Sequence, residues 1–375
     1  LPPILAMMGK RINKGPVRKS AMTPKDDGRW ADTARFVMRR PVPIVLLSLI
    51  ALGIMAAPLQ NISFSQGDSR MLPASNPAAI ATALQTERFP GQTGTPIEII
   101  TFDGVDKVDT LNEYANRISQ VPGIVGVVPP QVIGDDVRIV AYQSMLPRTP
   151  ESQKLIHDLR DVKAPAGTLI GGVAADYTDS QDGISRTLPW AFGWIAISVL
   201  LLVFVFTGSI ILPIKAVLLN VLSLAATMGV LTWVFIDGNL QWLVGSFTVT
   251  GSHDTSIVIL IAVVVFGLSM DYELFLLSRI REEHLEGRSN VESVATGLQR
   301  SARIITAAAV ILAVVFAAFV TSGVTSIKTM GFGVALAVLL DATLIRALLV
   351  PALMRLMGER NWWAPKSLQR FTLKH

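Results

Sequence analysis

Apolar residues in this chain come in long unbroken blocks, not at the spacing of half-buried helices or strands. Six blocks stand out: Val42 to Leu59, Leu188 to Val205, Ile211 to Ile236, Ile257 to Leu277, Ile304 to Val320 and Met330 to Met354. Each is about twenty residues long, enough to cross roughly 30 Å of hydrocarbon as a helix. Buried helices of a soluble core seldom stay apolar all round over such lengths. The pattern therefore predicts a polytopic α-helical membrane protein with six transmembrane helices.

Between the first two blocks the pattern changes to short periods. Pro96 to Phe102 alternates as a strand, and Val108 to Val121 carries Leu111, Tyr114, Ala115 and Ile118 on one helical face. Ile124 to Val128 reads as a strand closed by Pro129-Pro130, and Val137 to Tyr142 as another. Thr149 and Pro150 open a helix as N-cap and first residue, running to about Val162, and Thr168 to Ile170 begins a last strand. The order β-α-β-β-α-β is that of a ferredoxin-like α+β domain. Such a fold carries no function by itself.

Charge sets the expected orientation, because Lys and Arg gather on the cytoplasmic side of membrane helices. Lys10 to Arg40 holds ten Lys/Arg against three Asp, whereas Gln60 to Thr187 holds ten against fifteen Asp/Glu. Lys215 follows the short turn Thr207-Gly208-Ser209, Asp237 to Ser256 has no Lys or Arg, and Arg279 to Arg303 carries five Arg. All agree with both termini inside, in a bacterial cytoplasmic membrane. Residues 1–41 are then a cytoplasmic segment, 42–59 the first transmembrane helix and 60–187 an extracytoplasmic porter-like domain. Residues 188–354 form a five-helix bundle, and 355–375 a cytoplasmic tail. The net charge of +5 is membrane-surface charge on this reading and does not point to nucleic acid. No cleavable signal peptide is visible.

The chain has no cysteine, so thiol catalysis and cysteine-bound zinc are excluded. His157, His253, His284 and His375 are scattered without metal-ligand spacing, and no cofactor is expected. His253-Asp254 could suggest a relay but falls in an outer loop. The candidate chemistry lies inside the apolar blocks, in Asp271, Glu273, Asp341 and Arg346. A charge at mid-bilayer costs about 2.5–3.5 kcal/mol on insertion scales, so each needs a partner, water or a function. Asp271 lies about four residues past the middle of its block, roughly 6 Å toward the cytoplasm. It is a candidate proton carrier, and Tyr272 beside it supplies a hydroxyl. Neighbours on a helix are about 100° apart, so the two address different partners. Glu273 is nearer the inner surface and could snorkel toward Arg279 or water. Asp341 and Arg346 read as an interhelical ion pair that orders the bundle.

Leu1 to Gly9 echoes Val350 to Gly358, sharing the Pro, the final Met-Gly and the apolar character between. This is the habit of transporters built from repeated halves. Gly267-Leu268-Ser269-Met270-Asp271-Tyr272-Glu273-Leu274-Phe275-Leu276-Leu277-Ser278-Arg279 closely resembles the fourth helix of a half-repeat in the MMPL family of resistance-nodulation-division transporters. Leu339 through Asp341 and Arg346 to Met354 is similar to the family's closing helix, and Asn361-Trp362-Trp363-Ala364-Pro365 to its end. The resemblance covers the chain as a C-terminal half. It implies export of lipids, envelope glycolipids, siderophores or hydrophobic drugs, driven by protons, with Asp271 and Tyr272 joined to an Asp-Tyr pair of another half. No second such pair occurs here, so the expected partners are an N-terminal half or a second copy. No GxxxxGK[ST] loop for ATP is found. Competing readings are an intramembrane aspartyl protease using Asp271 and Asp341, a sterol-sensing-like binding module, and an inactive split fragment.

Overall fold

The computed structural model describes residues 28–88 and 96–365. The echo over residues 1–9, most of the basic segment before Gly28 and the end of the tail lie outside them. Six helical spans are long and apolar enough to cross a membrane, as the six blocks predict: Pro41–Asn61, Val173–Thr207, Ile211–Ile236, Thr255–Leu285, Asn290–Phe319 and Thr325–Trp362.

Helix α1 (Arg29–Arg39) precedes the first span and was not expected. It is amphipathic and buries Ala31, Ala34, Val37 and Met38. Gln299 Oε1 accepts from the backbone of Trp30 and Ala31, satisfying two free N–H groups at its start. Helix α2 (Pro41–Ala56) is the first span. The short strand β1 (Phe64–Ser65) and helix α3 (Pro77–Arg88) follow.

A four-stranded antiparallel sheet comes next, built from β2 (Ile97–Thr101), β3 (Ile124–Ile133), β4 (Asp136–Gln143) and β5 (Thr168–Gly171). Its order is β3-β4-β2-β5. Helices α4 (Val108–Ile118) and α5 (Pro150–Asp161) cover one face, closing a core of Ile97, Ile99, Val137 and Ile139 against Leu111, Ile118, Leu155 and Leu159. Thr149 caps α5 by accepting from Ser152 N. Pro129-Pro130 does not end β3, contrary to expectation. The strand continues past them with a shift in register between Val128 and Gln131. β3 is an edge strand, where a bulge accommodates prolines that cannot donate to the ladder. Across the neighbouring strands Arg138 grips Glu98, and its hydrogen bonds hold that carboxyl below the usual range.

Helix α6 (Val173–Thr207) begins fifteen residues before its apolar block, at Gly172 with φ 98°, and runs unbroken from sheet to membrane. Its first turns stay with the sheet unit: Arg160 pairs with Asp179, and Gln153 donates to Asp182. The remaining helices are α7 (Ile211–Leu231), the short α8 (Gln241–Val244), α9 (Thr255–Leu285), α10 (Asn290–Phe319), α11 (Thr325–Leu340) and α12 (Val350–Met357). The extended segment around β1 ties the sheet end of α9 to the rest. β1 pairs with β6 (His253–Asp254), Thr255 Oγ1 donates to Ser65 O, and Gly67 N donates to Asp254, which also caps α9.

At the opposite end of the bundle the arginines are not all free for a membrane surface. Glu283 is buried between Arg288 and Arg300, and Arg279 pairs with Glu282. The His284 ring stacks on Trp362 at 4.4 Å.

Candidate functional site

The last span is not a uniform α-helix. Between α11 and α12, Asp341–Leu349 is wound as a π-helix. Pro351 lies just beyond it and cannot donate to the turn behind it, a common cause of such local rewinding. Hydrogen bonds of i→i+5 spacing bring residues five apart onto one face. That pitch aligns Asp341 with Arg346, and they form an ion pair. Both are buried. The expected interhelical pair is thus a pair within one span.

The pair is anchored to α9. Ser269 Oγ donates to Asp341 Oδ1 at 2.9 Å, and Arg346 Nη2 donates to Ser269 O at 2.7 Å. The Ser269 hydroxyl also touches the Asn220 amide of α7. Tyr272 lies half-buried with its ring centroid 5.1 Å from the Arg346 guanidinium carbon, a cation–π contact. A narrow cavity runs along this cluster, lined by Leu268, Tyr272, Val338, Asp341 and Arg346 among others.

Asp271 is not part of the cluster. It lies on the exposed face of α9, in line with Leu260, Val263 and Gly267, which are also exposed. Asp271 and Tyr272 therefore do address different surroundings, one outside the chain and one at Arg346. Asp341 is enclosed by Arg346 and Ser269 while Asp271 faces outward, so the dyad needed by an aspartyl protease is not assembled within this chain.

Glu273 does not snorkel to Arg279, which is engaged with Glu282. It is 3% exposed, and its Oε1 has no protein partner. Lys215 and Arg346 attract its charge and Asp341 repels it. Lys215 is the residue that sequence reading missed. It served there only to orient the turn before α7, yet it is 6% exposed with an unpartnered Nζ. A signal was present in the buried polar positions Lys215, Asn220, Ser223 and Thr227 along one otherwise apolar helix.

His253 is buried with its Nε2 3.5 Å from Thr232 Oγ1, and burial pushes its imidazole down to about 4, so it is neutral near pH 7. Asp254 is committed to Gly67 and to the α9 cap. Among the described residues no group of three or more His, Asp or Glu could hold a metal ion.

The model of the MMPL family matches residues 70–372. A membrane protein of Streptomyces coelicolor is 37% identical over 99% of this chain and 51% of its own length. The trehalose monomycolate exporter MmpL3 of Mycobacterium tuberculosis is 34% identical over 92% of the chain and 38% of its own length. The mycolic acid-containing lipids exporter MmpL11 of Mycolicibacterium smegmatis is 33% identical over 98% and 40%. The chain thus spans about half or less of the length of these relatives.

Proposed function

Because the chain belongs to the MMPL family, we propose that it is one half of a proton-driven exporter of lipids or other hydrophobic envelope compounds. In this reading Asp271 carries the proton and Tyr272 is its hydrogen-bonding companion across an interface between halves. The observation that carries it is the exposure of Asp271 on a stripe of apolar surface in the middle of a spanning helix. A carboxylate does not rest against lipid tails at that depth; it faces protein or a water-filled cavity. The stripe is therefore a contact face for an N-terminal half or a second copy of the chain, and Asp271 lies within that contact.

The rest of the architecture fits this reading. The sheet order β3-β4-β2-β5 with two helices on one face supports reading this unit as a ferredoxin-like, extracytoplasmic porter domain. The opposite end, with Lys215 and the Arg279 to Arg303 loop, is taken as cytoplasmic, in the cytoplasmic membrane of a bacterium. Relatives named as exporters of trehalose monomycolate and mycolic acid-containing lipids support a lipid-like substrate.

Asp271→Asn keeps shape and hydrogen bonding but removes the titratable proton. In the complete two-half transporter it should fold and insert normally and lose export by about a hundredfold. Tyr272→Phe should reduce export less. The measurement is lipid export from membrane vesicles under an imposed pH gradient, with protein level checked alongside. Full gradient-driven export by Asp271→Asn would remove the proposal.

A further inference from the structure

The connection between α7 and α9 stays close to the end of the bundle. The π-wound end of the α7 span, Thr232–Ile236, carries Trp233, and Asn239 Nδ2 donates back to Trp233 O at 2.9 Å. That bond keeps the connection level with the last turn of the span. Helix α8 follows at once. Leu240 before it has φ 58°, and Gly238 and Gly245 on either side have φ 77° each. A leucine in the left-handed region is uncommon, and this one is held there by its packing on the core beneath. Lys328 at the start of α11 grips the far end of α8, donating to Val244 O at 2.9 Å. Val244 is buried, while Trp242 and Leu243 point outward, 82% and 59% exposed.

We infer that Trp242 and Leu243, together with Trp233, form a membrane-binding surface that seats in the interfacial layer of a phospholipid bilayer at the sheet end of the bundle. The inference needs the six spans and not the proton-driven reading. Asp237 to Ser256 has no Lys or Arg and only two carboxylates, Asp237 and Asp254. Asp254 is already occupied by Gly67 N and by the α9 cap. A cluster of large exposed apolar side chains with so little charge marks a contact surface, not a face for open water. Its partner follows from the surface that it continues. On α7, Ile214, Leu218 and Val221 are exposed as well as Trp233, so α8 prolongs an uncovered apolar face of a spanning helix. The depth follows from the backbone. A short helix between turns leaves N–H and C=O groups that hydrocarbon cannot satisfy, so the segment stops at the interface, where lipid esters and water serve them. Tryptophan favours the same layer, with its ring against apolar chains and its indole N–H toward ester or water. The bond from Lys328 to Val244 O pins this seat to α11 from beneath.

The test uses the complete transporter in vesicles of phosphatidylethanolamine and phosphatidylglycerol. Any cysteine outside this chain is replaced; the chain itself has none. A nitroxide label is placed on Trp242→Cys or Leu243→Cys, with Asp109→Cys on the sheet unit as the aqueous control. Dissolved oxygen concentrates in lipid, and a nickel chelate stays in water. Labels at 242 and 243 should relax faster with oxygen than with the chelate, and the label at 109 should show the reverse order. A second measurement needs no label. Phospholipids brominated near the top of their acyl chains quench tryptophan emission on contact, and Trp242→Phe should lower the quenched share of that emission. Relaxation favoured by the chelate at 242 and 243 would put the loop in water. Shielding from both reagents would put it against protein, either the other half or a second copy. Each of these results would overturn the inference, as would unchanged quenching in Trp242→Phe.

Discussion

Five residues along a regular α-helix turn a side chain about 140° away from its starting direction. Asp341 and Arg346 meet only because the helix between them is wound more widely. Asp341→Asn should therefore be costly: it leaves Arg346 buried beside a neutral amide, and breaking one partner of a buried pair costs about 3–5 kcal/mol. The expected outcome is a lower folded yield and melting temperature in detergent. The double change Asp341→Leu with Arg346→Met should recover much of that loss. Normal folding of Asp341→Asn with lost export would instead give Asp341 a part in the proposed proton transfer. The sequence made these residues conspicuous, since any charge in an apolar block is. It did not show how they pair, because the π pitch depends on Pro351 and on packing, and a linear pattern assumes one periodicity. Lys215 was harder still. Near a turn, a lysine reads as surface charge, and only the packing of α7 against α9 and the last span buries it.

Close helix contact in this bundle relies on glycine. A β-carbon on Gly229 of α7 would fall 2.2 Å from Met55 O of α2, and one on Gly331 of α11 2.5 Å from Phe316 O of α10. Small residues at such crossings let backbones approach when no hydrophobic drive separates helix from lipid. Gly229→Val should force α2 away from α7 at a cost of about 1–3 kcal/mol, read as a lower melting temperature and easier proteolysis between the first span and the sheet. An unchanged melting temperature would show that this contact is loose. At this scale the sequence was largely legible. Six apolar blocks became six spans, and the β-α-β-β-α-β order of the sheet unit is the one its short periods predict. Three features escaped, each for a physical reason. Helix α1 is short, and its stability comes from α10 and the Gln299 cap. The polar start of α6 is held by α5 and the sheet, outside any hydropathy signal. β3 passes through two prolines because it lies on an edge.

The whole molecule is covered unevenly. The most apolar windows of the α7 span and the last span are 56% and 61% buried within the chain, those of α2 and α6 only 11% and 6%. Its orientation can be tested directly because the chain has no cysteine. Asp109→Cys, on the sheet unit, should react with an impermeant thiol reagent in intact cells, and Glu286→Cys, in the basic loop, only after the membrane is opened. The reverse pattern would invert the assignment of sides. The face of α9 bearing Asp271 gives the sharper test of completeness. Gly267 lies one turn from Asp271, and among the described residues nothing beyond its own helix turn comes within 4 Å of where its β-carbon would stand. Gly267→Leu therefore has no clash to make with the described residues of neighbouring elements, and the chain should keep its melting temperature and yield when produced alone. If a second bundle packs on that face, the added side chain enters the contact and separates the halves around Asp271. Export by the complete transporter should then drop about tenfold or more, at a cost of about 1–3 kcal/mol in packing. Gly267→Ala should be tolerated better than Gly267→Leu, because the loss grows with the volume inserted. Equal export by Gly267→Leu and the unaltered transporter would mean that the face meets lipid, and the carboxylate on it would then need another explanation.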